Sequence, residues 1–575
     1  MGTVYSTRTT IRFGTFEADF RTGELRKDGV KVKLQEQPLQ VLDVLLQRAG
    51  ELVTREELQQ RIWPADTFVD FEQGLYNSVR RLRDALEDSP EKPKYIETLS
   101  RRGYRFIGTI RNSDRRIGSL AVLPLDNLSR DPEQEYFAEG LTEALITTLA
   151  KIGELRVASR TSAMQYKDAR KPLPQIAKEL GVEAIVEGTV LRAGDRVRIT
   201  AQLIDAAKES HLWAESYERE LRDVLTLQSE LAQAIAREVQ VKLTPQDRTN
   251  LGQVKPVNPE AYEAYLQGRY HWNRRSAEGL GQAIQFFRQA IARDPTYAIA
   301  YSSLADCLIV VGFWGAVPPN EGAGKAKELA LKALALDPSS AEAHSSLAAA
   351  TAFYDYDFLS AEREFERSIE LNPRYATARE FFGFCLSLSG RFEEGYAEMK
   401  RAIRLEPLSS SMYFGMGCVY WSAHRFDEAI VALQKAVELE PQNALARGVL
   451  GYIFMYEKQY ERAIQELEHS VRLSQGASAV VASLAEVYAV AGERDKAQTI
   501  LEQLERLSTH QYVSPYPVAR IHMSLGKRDE ALRLLEVAYA ERALMMVDLK
   551  VDPRFIELHS EPRFQVLLRR VNLSE

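Results

Sequence analysis

A spacing of 34 residues constrains this chain more than any other feature. A small residue recurs at Ala283, Ala326, Ala361, Gly395, Ala429, Ala463, Ala497 and Ala531, and each of the last five intervals is 34 residues. A proline keeps the same beat at Pro295, Pro338, Pro373, Pro407 and Pro441, in the contexts RDP, LDP, LNP and LEP. Proline lacks the N–H that a helix interior requires, so each one marks a helix end. Self-similarity at this period implies one supersecondary unit stacked many times, each copy burying its apolar face on its neighbours.

Within one unit, MGCVYWSAHRFDEAIVALQKAVELEP, Met416, Gly417 and Tyr420 fall on a first helix, and Ala429, Leu433 and Ala436 on a second. The small residues let the two helices approach closely. Over residues 258–545 the chain resembles the tetratricopeptide repeat (TPR) family, with about eight units. The resemblance implies an all-α superhelix that presents a concave surface to a partner protein or peptide and performs no chemistry. Phe384, Phe414, Trp421, Tyr452 and Tyr456 are the candidate partner groove. Aromatic rings at helical spacing are more commonly core, and packing between neighbouring helices is the preferred reading of these five. Two longer intervals, of 43 and 35 residues, imply insertions near GFWGAVPPNEG and TAFYDYDF. The segment 546–575 contains DPRFIELHSEPRFQVLLRRV, departs from the repeat, and is expected to cap the open end.

Residues 1–111 read differently, as short strands, then helices, then a hairpin. IRFGTFEADF and GELRKDGVKVKL alternate apolar with polar residues around Gly23 and Asp28–Gly29, as an antiparallel meander does. QPLQVLDVLLQRAG places Leu39, Leu42, Leu45 and Leu46 on one helix face and stops at Gly50. Thr54 followed by Glu57 is a capping-box signature. In FEQGLYNSVRRLRDALED the buried stripe is Leu75, Val79, Leu82 and Leu86, which leaves Asn77, Ser78, Arg80, Arg81 and Arg83 for the opposite face. KYIETLSRRGYRFIG puts Arg101 and Arg102 at a hairpin tip, beside Tyr104. A basic tip of this kind can enter a minor groove.

VRRLRDAL and YIETLSRRGYRF are similar to the recognition helix and wing of the OmpR/PhoB-type winged-helix domain, over residues 11–110. The resemblance implies that Trp63 and Thr98 contact backbone phosphate, that Arg81 reaches bases and that Arg83 holds phosphate. It departs from the family at Ser100, where many members carry the wing arginine, so Arg101 or Arg102 takes that part. The chain also resembles CadC-type regulators in beginning with the winged helix, without their membrane span. No phospho-accepting receiver domain is expected before residue 11.

Residues 117–245 form a third expected domain, of α/β class. IGSLAVLPLDNL and LRVASRTSAM read as strands, GLTEALITTLAKI and LPQIAKELG as helices, and VEAIVEGTVLRAGDRVRITAQLID as two strands about Ala193–Asp195. The pattern is similar to the N-terminal domain of TolB-type proteins. Glu187, Asp205 and His211 could be imagined as a hydrolytic cluster, but polar residues at strand ends are usually solvated, and no catalytic residues are assigned. GAGKA at 322–326 fails as a phosphate loop, because the first glycine is replaced by Pro319 and the Ser/Thr by Ala326. Cys307, Cys385 and Cys418 lack zinc-ligand spacing, so no metal and no cofactor is expected.

Charge locates the polyanion partner. Residues 1–111 hold 19 Lys+Arg against 17 Asp+Glu, or +2, while the whole chain is −7, which leaves −9 for the rest. With no signal peptide and no apolar run long enough for a membrane span, a cytoplasmic chain is expected. The fold class is therefore multidomain: a winged helix-turn-helix (α+β), a small α/β middle domain and an all-α TPR superhelix. The function expected is non-enzymatic: sequence-specific transcription regulation on double-stranded promoter DNA, with a protein or ligand signal received by the TPR or middle domain. A homodimer is compatible with this reading. The alternative is a cytoplasmic TPR scaffold whose winged helix docks protein rather than DNA.

Overall fold

The computed structural model describes residues 10–573, apart from 21, 28, 64–70, 101, 109, 112–116, 130, 170, 241–243, 245–256 and 275–276. It forms two compact units, Met1–Ile117 and Gly118–Glu575.

The first unit begins with an antiparallel meander of β1 (Thr10–Phe13), β2 (Phe16–Asp19), β3 (Glu24–Lys27) and β4 (Val30–Val32). Their alternation turns Ile11, Phe13, Phe16, Ala18 and Leu25 inward against α1 (Glu36–Gln47), whose Leu39, Leu42, Leu45 and Leu46 are all buried. After β5 (Leu52–Thr54), helix α2 (Arg55–Ile62) starts with the expected capping box. The Glu57 N–H donates to Thr54 Oγ1 at 3.2 Å, and the Thr54 N–H to Glu57 Oε2 at 2.9 Å. Then come α3 (Phe71–Leu86), β6 (Ile96–Leu99), β7 (Gly103–Phe106) and β8 (Ile110–Arg111). β8 pairs with β1, and β5, β7 and β6 make a separate three-stranded sheet.

The second unit opens with a mixed sheet ordered β11-β9-β12-β13-β14, with β10 beside β12. Its strands are β9 (Ser119–Val122), β10 (Asp126–Asn127), β11 (Arg156–Val157), β12 (Ala184–Ala193), β13 (Arg196–Asp205) and β14 (Ser210–Glu220). β14 goes beyond the sequence reading, which stopped at β13. The helices are α4 (Glu135–Ala150), α5 (Arg160–Met164), α6 (Leu173–Leu180) and α7 (Val224–Glu238). The sheet domain packs directly on the helical array. Arg192 binds Glu263 at 2.8 Å, and half-buried Glu143 accepts from Arg269 at 2.7 Å and from Asn273 at 2.9 Å. A Cβ at Gly140 would lie 2.7 Å from Leu266 Cδ2, so α4 touches the helix Pro259–Asn273 without a gap.

From Pro259 onward the chain is a succession of paired helices. The pair Ser410–Ser422 and Phe426–Leu439 packs so tightly that a Cβ at Gly417 would stand 2.5 Å from Leu433 Cγ. The turn inside each pair carries a second 34-residue rhythm: Tyr356, Gly390, His424, Lys458, Gly492 and Gly526 all have positive φ. Left-handed backbone crowds any Cβ, which explains glycine at three of the six positions.

The C-terminal segment, expected to cap the open end, packs on the last helix pair, where Arg563 donates to Glu536 at 3.0 Å, and also reaches further. It folds back along the inside of the superhelix. Leu544, Met546, Val547, Leu549, Val551, Phe555, Phe564 and Leu568 join one apolar cluster with Leu304, Leu308, Ala349 and Phe353 from helices far upstream. The Tyr356 hydroxyl donates to the Ala543 carbonyl at 3.0 Å, and His424 Nε2 lies 3.0 Å from the Val551 carbonyl oxygen. The physical reason is composition: the segment is apolar on more than one face, and the inside of the array is where that surface leaves water.

Two outcomes follow. Lys458→Gly removes the Cβ from a left-handed turn and should raise stability by about 0.5–1 kcal/mol, read as a higher unfolding midpoint in calorimetry. Phe555→Ala, at a fully buried ring, should cost about 3–5 kcal/mol, and truncation from Asp552 should produce aggregation visible by light scattering. A truncated chain that stays monomeric and melts like the parent would refute the account of the segment.

Candidate nucleic-acid interface

Helix α3 supplies the candidate surface. Its buried residues are Leu75, Ser78, Val79, Leu82 and Leu86, spaced i, i+3, i+4, i+7 and i+11, a complete core stripe. Ser78 is 4% exposed, so it leaves the interface assigned from sequence: its polarity suggested the outer face, but its register sets it on the inner one. Tyr104 is corrected in the same way. It lies in β7 opposite Val53 and is 5% exposed, and burial pushes its hydroxyl pKa up. Trp63, expected to touch phosphate, closes α2 with its ring edge against Phe71 at 5.3 Å and is 8% exposed.

What remains outward on α3 is Arg80, Arg81 and half-buried Asn77. Arg80 is exposed and makes no ion pair among the described residues. Arg81 is also exposed and donates to the Gln35 side chain just before α1. Beside them stands Tyr76, 58% exposed, which the sequence reading passed over. Its signal was available, since a residue one position after Leu75 and six before Leu82 lies off the apolar stripe. A large ring left in water on such a face is a feature to explain.

Arg83, which the family resemblance assigns to phosphate, lies half-buried beside the sheet. Its Nη2 donates to the Ile96 carbonyl at 2.7 Å and to Thr98 Oγ1 at 2.8 Å, tying α3 to β6. Thr98 thereby also serves as an acceptor for Arg83, while remaining exposed. At the hairpin tip Arg102 is exposed, its N–H donating to the Leu99 carbonyl at 2.9 Å. Arg101 lies outside the described residues. Gly103 sits where β7 passes β5, and a Cβ there would be 2.1 Å from the Val53 carbonyl oxygen, so the hairpin requires glycine. At the start of α3, Glu72 is held by Arg55 at 2.5 Å, which withdraws one carboxylate from an otherwise basic surface.

The other sequence candidates do not form sites. Glu187 accepts from Gln202, Asp205 accepts from the Ala207 and Lys208 N–H groups in a turn, and His211 is exposed on β14. No group of His, Cys, Asp and Glu among the described residues could hold a metal ion. Among the groove aromatics, Trp421 is 7% exposed with the Arg554 guanidinium 5.6 Å from its ring centre, and Tyr452 has the same group at 4.7 Å. Phe384, Phe414 and Tyr456 are half-buried against the core clusters. The chain's own C-terminal segment covers the Trp421 and Tyr452 rings, so the groove read from sequence is not an open surface.

Four family models match along the chain. Residues 29–106 match the C-terminal domain of transcriptional regulatory proteins, and 115–234 match the second domain of HilA/YgeH-like transcriptional regulators. Residues 414–478 and 454–510 match tetratricopeptide repeats. The chain thus combines an OmpR/PhoB-type winged helix, a HilA/YgeH-like regulator domain and a TPR array. Among individual relatives it is similar to Transcriptional regulator HilA of Salmonella typhimurium, 23% identical over 384 residues, covering 65% of this chain and 66% of that one. It is also similar to a Rhizobium meliloti protein named "Putative adenylate cyclase 3", 38% identical over 205 residues, 35% of each chain. Among solved structures it matches the Thermotoga maritima response regulator DrrB, an OmpR/PhoB homologue, with 30% identity, a TM-score of 0.16, and coverage of 18% of this chain and 45% of that one. No helix among the described residues is long and apolar enough to cross a membrane.

The Arg83 clamp gives a test. Arg83→Ala removes a charged donor from two acceptors and should lower the winged helix's stability by about 1–3 kcal/mol, measured by urea unfolding. Arg83→Lys should not restore it fully, because the lysine side chain is shorter than the reach of Nη2 to the Ile96 carbonyl and Thr98 Oγ1. Full rescue by lysine would show that charge alone matters there.

Proposed function

We propose that this chain is a non-enzymatic transcription regulator that acts in the cytoplasm and binds promoter DNA through α3 and the β6–β7 hairpin. The observation that carries the proposal is the outward face of α3, where Arg80 and Arg81 stand exposed beside Tyr76 on a helix whose opposite face is fully committed to the core. A helix of this kind fits the major groove, and a guanidinium can donate two parallel hydrogen bonds to a guanine edge. Arg81 and Tyr76 are assigned to bases, Arg80 and Arg102 to phosphates, and Arg83 to positioning the helix against the wing. HilA carries the name of a transcriptional regulator, and two of the three domain families matched here are regulator domains. The middle domain and the repeat array are the parts of the chain available to receive a protein or ligand signal.

The test is titration of full-length protein against its enriched genomic site and a scrambled duplex at several salt concentrations. Arg81→Ala and Tyr76→Ala should each cost about 1–3 kcal/mol at the site and far less on scrambled DNA. Arg80→Ala and Arg102→Ala should weaken both duplexes alike and reduce the salt dependence by about one unit each. Equal losses on both duplexes for Arg81→Ala would overturn the register, and no binding by the parent protein would favour a scaffold.

A further inference from the structure

Five ionisable side chains meet inside the array, withdrawn from water. Glu486, from the helix Ser478–Val490, and Arg520, from Pro515–Ser524, have side chains 1% exposed. Asp552 and Arg554 of the C-terminal segment are 0% and 5% exposed. Asp548, from the same segment, is 9% exposed. Arg520 Nε stands 3.1 Å from Glu486 Oε2, and Arg554 pairs with Asp552, which also accepts from the Tyr516 hydroxyl at 3.0 Å. Arg554 Nη1 reaches toward Glu486 at 3.6 Å, linking the two pairs.

The remaining neighbours are neutral or distant. From the helix Ala444–Tyr456, Tyr452 bonds Arg520 through its hydroxyl, while the Tyr456 hydroxyl is buried without a partner. From Ser410–Ser422, Trp421 faces Arg554, and Cys418 is influenced by Asp548 and by the more remote Glu380. Ser483 accepts from Arg520 at 3.1 Å. Asp548 Oδ1 and both Glu486 oxygens lack a partner in hydrogen-bond geometry.

The charges therefore do not balance. Guanidinium groups stay protonated in proteins, so three carboxylates face two cations and one negative charge is left over in a dry interior. A buried charge without a counterion is costly, and a carboxylate in that position is relieved by taking up a proton. Burial acts in the same direction on both under-bonded carboxyls, pushing Asp548 up to about 7 and Glu486 up to about 8.

We infer that this cluster is a proton-binding site, and that one proton held on Glu486 or Asp548 locks the C-terminal segment inside the array. The proton is taken up on closure, so closure is strongest below the ordinary carboxylate range at ~4, weakens as pH rises from there to about 7 to 8, and levels off above. The direction is opposite to that of a surface carboxylate in a salt bridge, whose stabilisation is lost toward acid.

Hydrogen–deuterium exchange on the full-length protein between pH 6 and 9, corrected for the intrinsic exchange rate at each pH, reads the lock directly. Protection of residues 544–573 should fall by about tenfold or more over this range, while the helix Pro259–Asn273 keeps its protection. Glu486→Gln and Asp548→Asn each remove the surplus charge and should each flatten the response. Should one variant fail to fold, the other carries the comparison. Difference infrared spectra of the parent protein should also show a protonated carboxyl band lost between pH 6 and 9. Equal protection at both ends of the range, an unchanged slope in both variants, or no such band would each overturn the assignment.

Discussion

Drawing an apolar C-terminal segment into the superhelix takes charged groups with it, and the array's architecture depends on how that cost is met. Leu549, Val551 and Phe555 gain from leaving water, and between them Asp552 and Arg554 must lose their hydration. The two are neighbours but one in the chain, so they pair with each other wherever the segment goes. Glu486 and Arg520 form the matching pair on the receiving helices. Four groups that would individually forbid burial thus enter the interior as two pairs, and the helices that carry them are fixed relative to a segment from the far end of the chain. Removing either arginine leaves a buried carboxylate without its counterion, a larger penalty than the pair itself contributes.

The winged-helix unit solves a smaller version of the same problem. An exposed basic face on α3 is useful only if the helix is held still, and two polar ties do so without using Arg80 or Arg81: Arg83 to β6 and Arg55 to Glu72. The capping box at Thr54 and Glu57 fixes the preceding helix, and Gly103 lets the hairpin approach β5. Residues that look alike in sequence thus divide into anchors and outward groups.

Which features could be read from sequence follows from the range of the interactions involved. The helix pairs were legible because each is specified locally: a small residue every 34 positions permits close approach, and a proline ends each unit. The capping box was legible because both partners lie within four residues. Ser78 was misplaced because polarity was weighed above register, and Tyr76 was missed because aromatic residues are usually core. Strand β14 has exposed polar residues at most positions, so its alternation is faint. The route of the C-terminal segment had no local signal at all, since its contacts join residues such as Tyr356 and Ala543, separated by 187 positions.

The same long-range closure changes the mechanics of the array. A solenoid in which each unit touches only the next behaves as a spring, and its pitch adjusts to whatever it grips. Here Tyr356 and His424 are fastened to a strap that starts after the last helix pair, with Asn572 returning to the Tyr356 carbonyl at 2.9 Å. Stretching any one turn would strain the strap as well as the neighbouring turn. The array is braced across its turns as well as between neighbours, so a pull at one point is felt well beyond the adjoining helix pair.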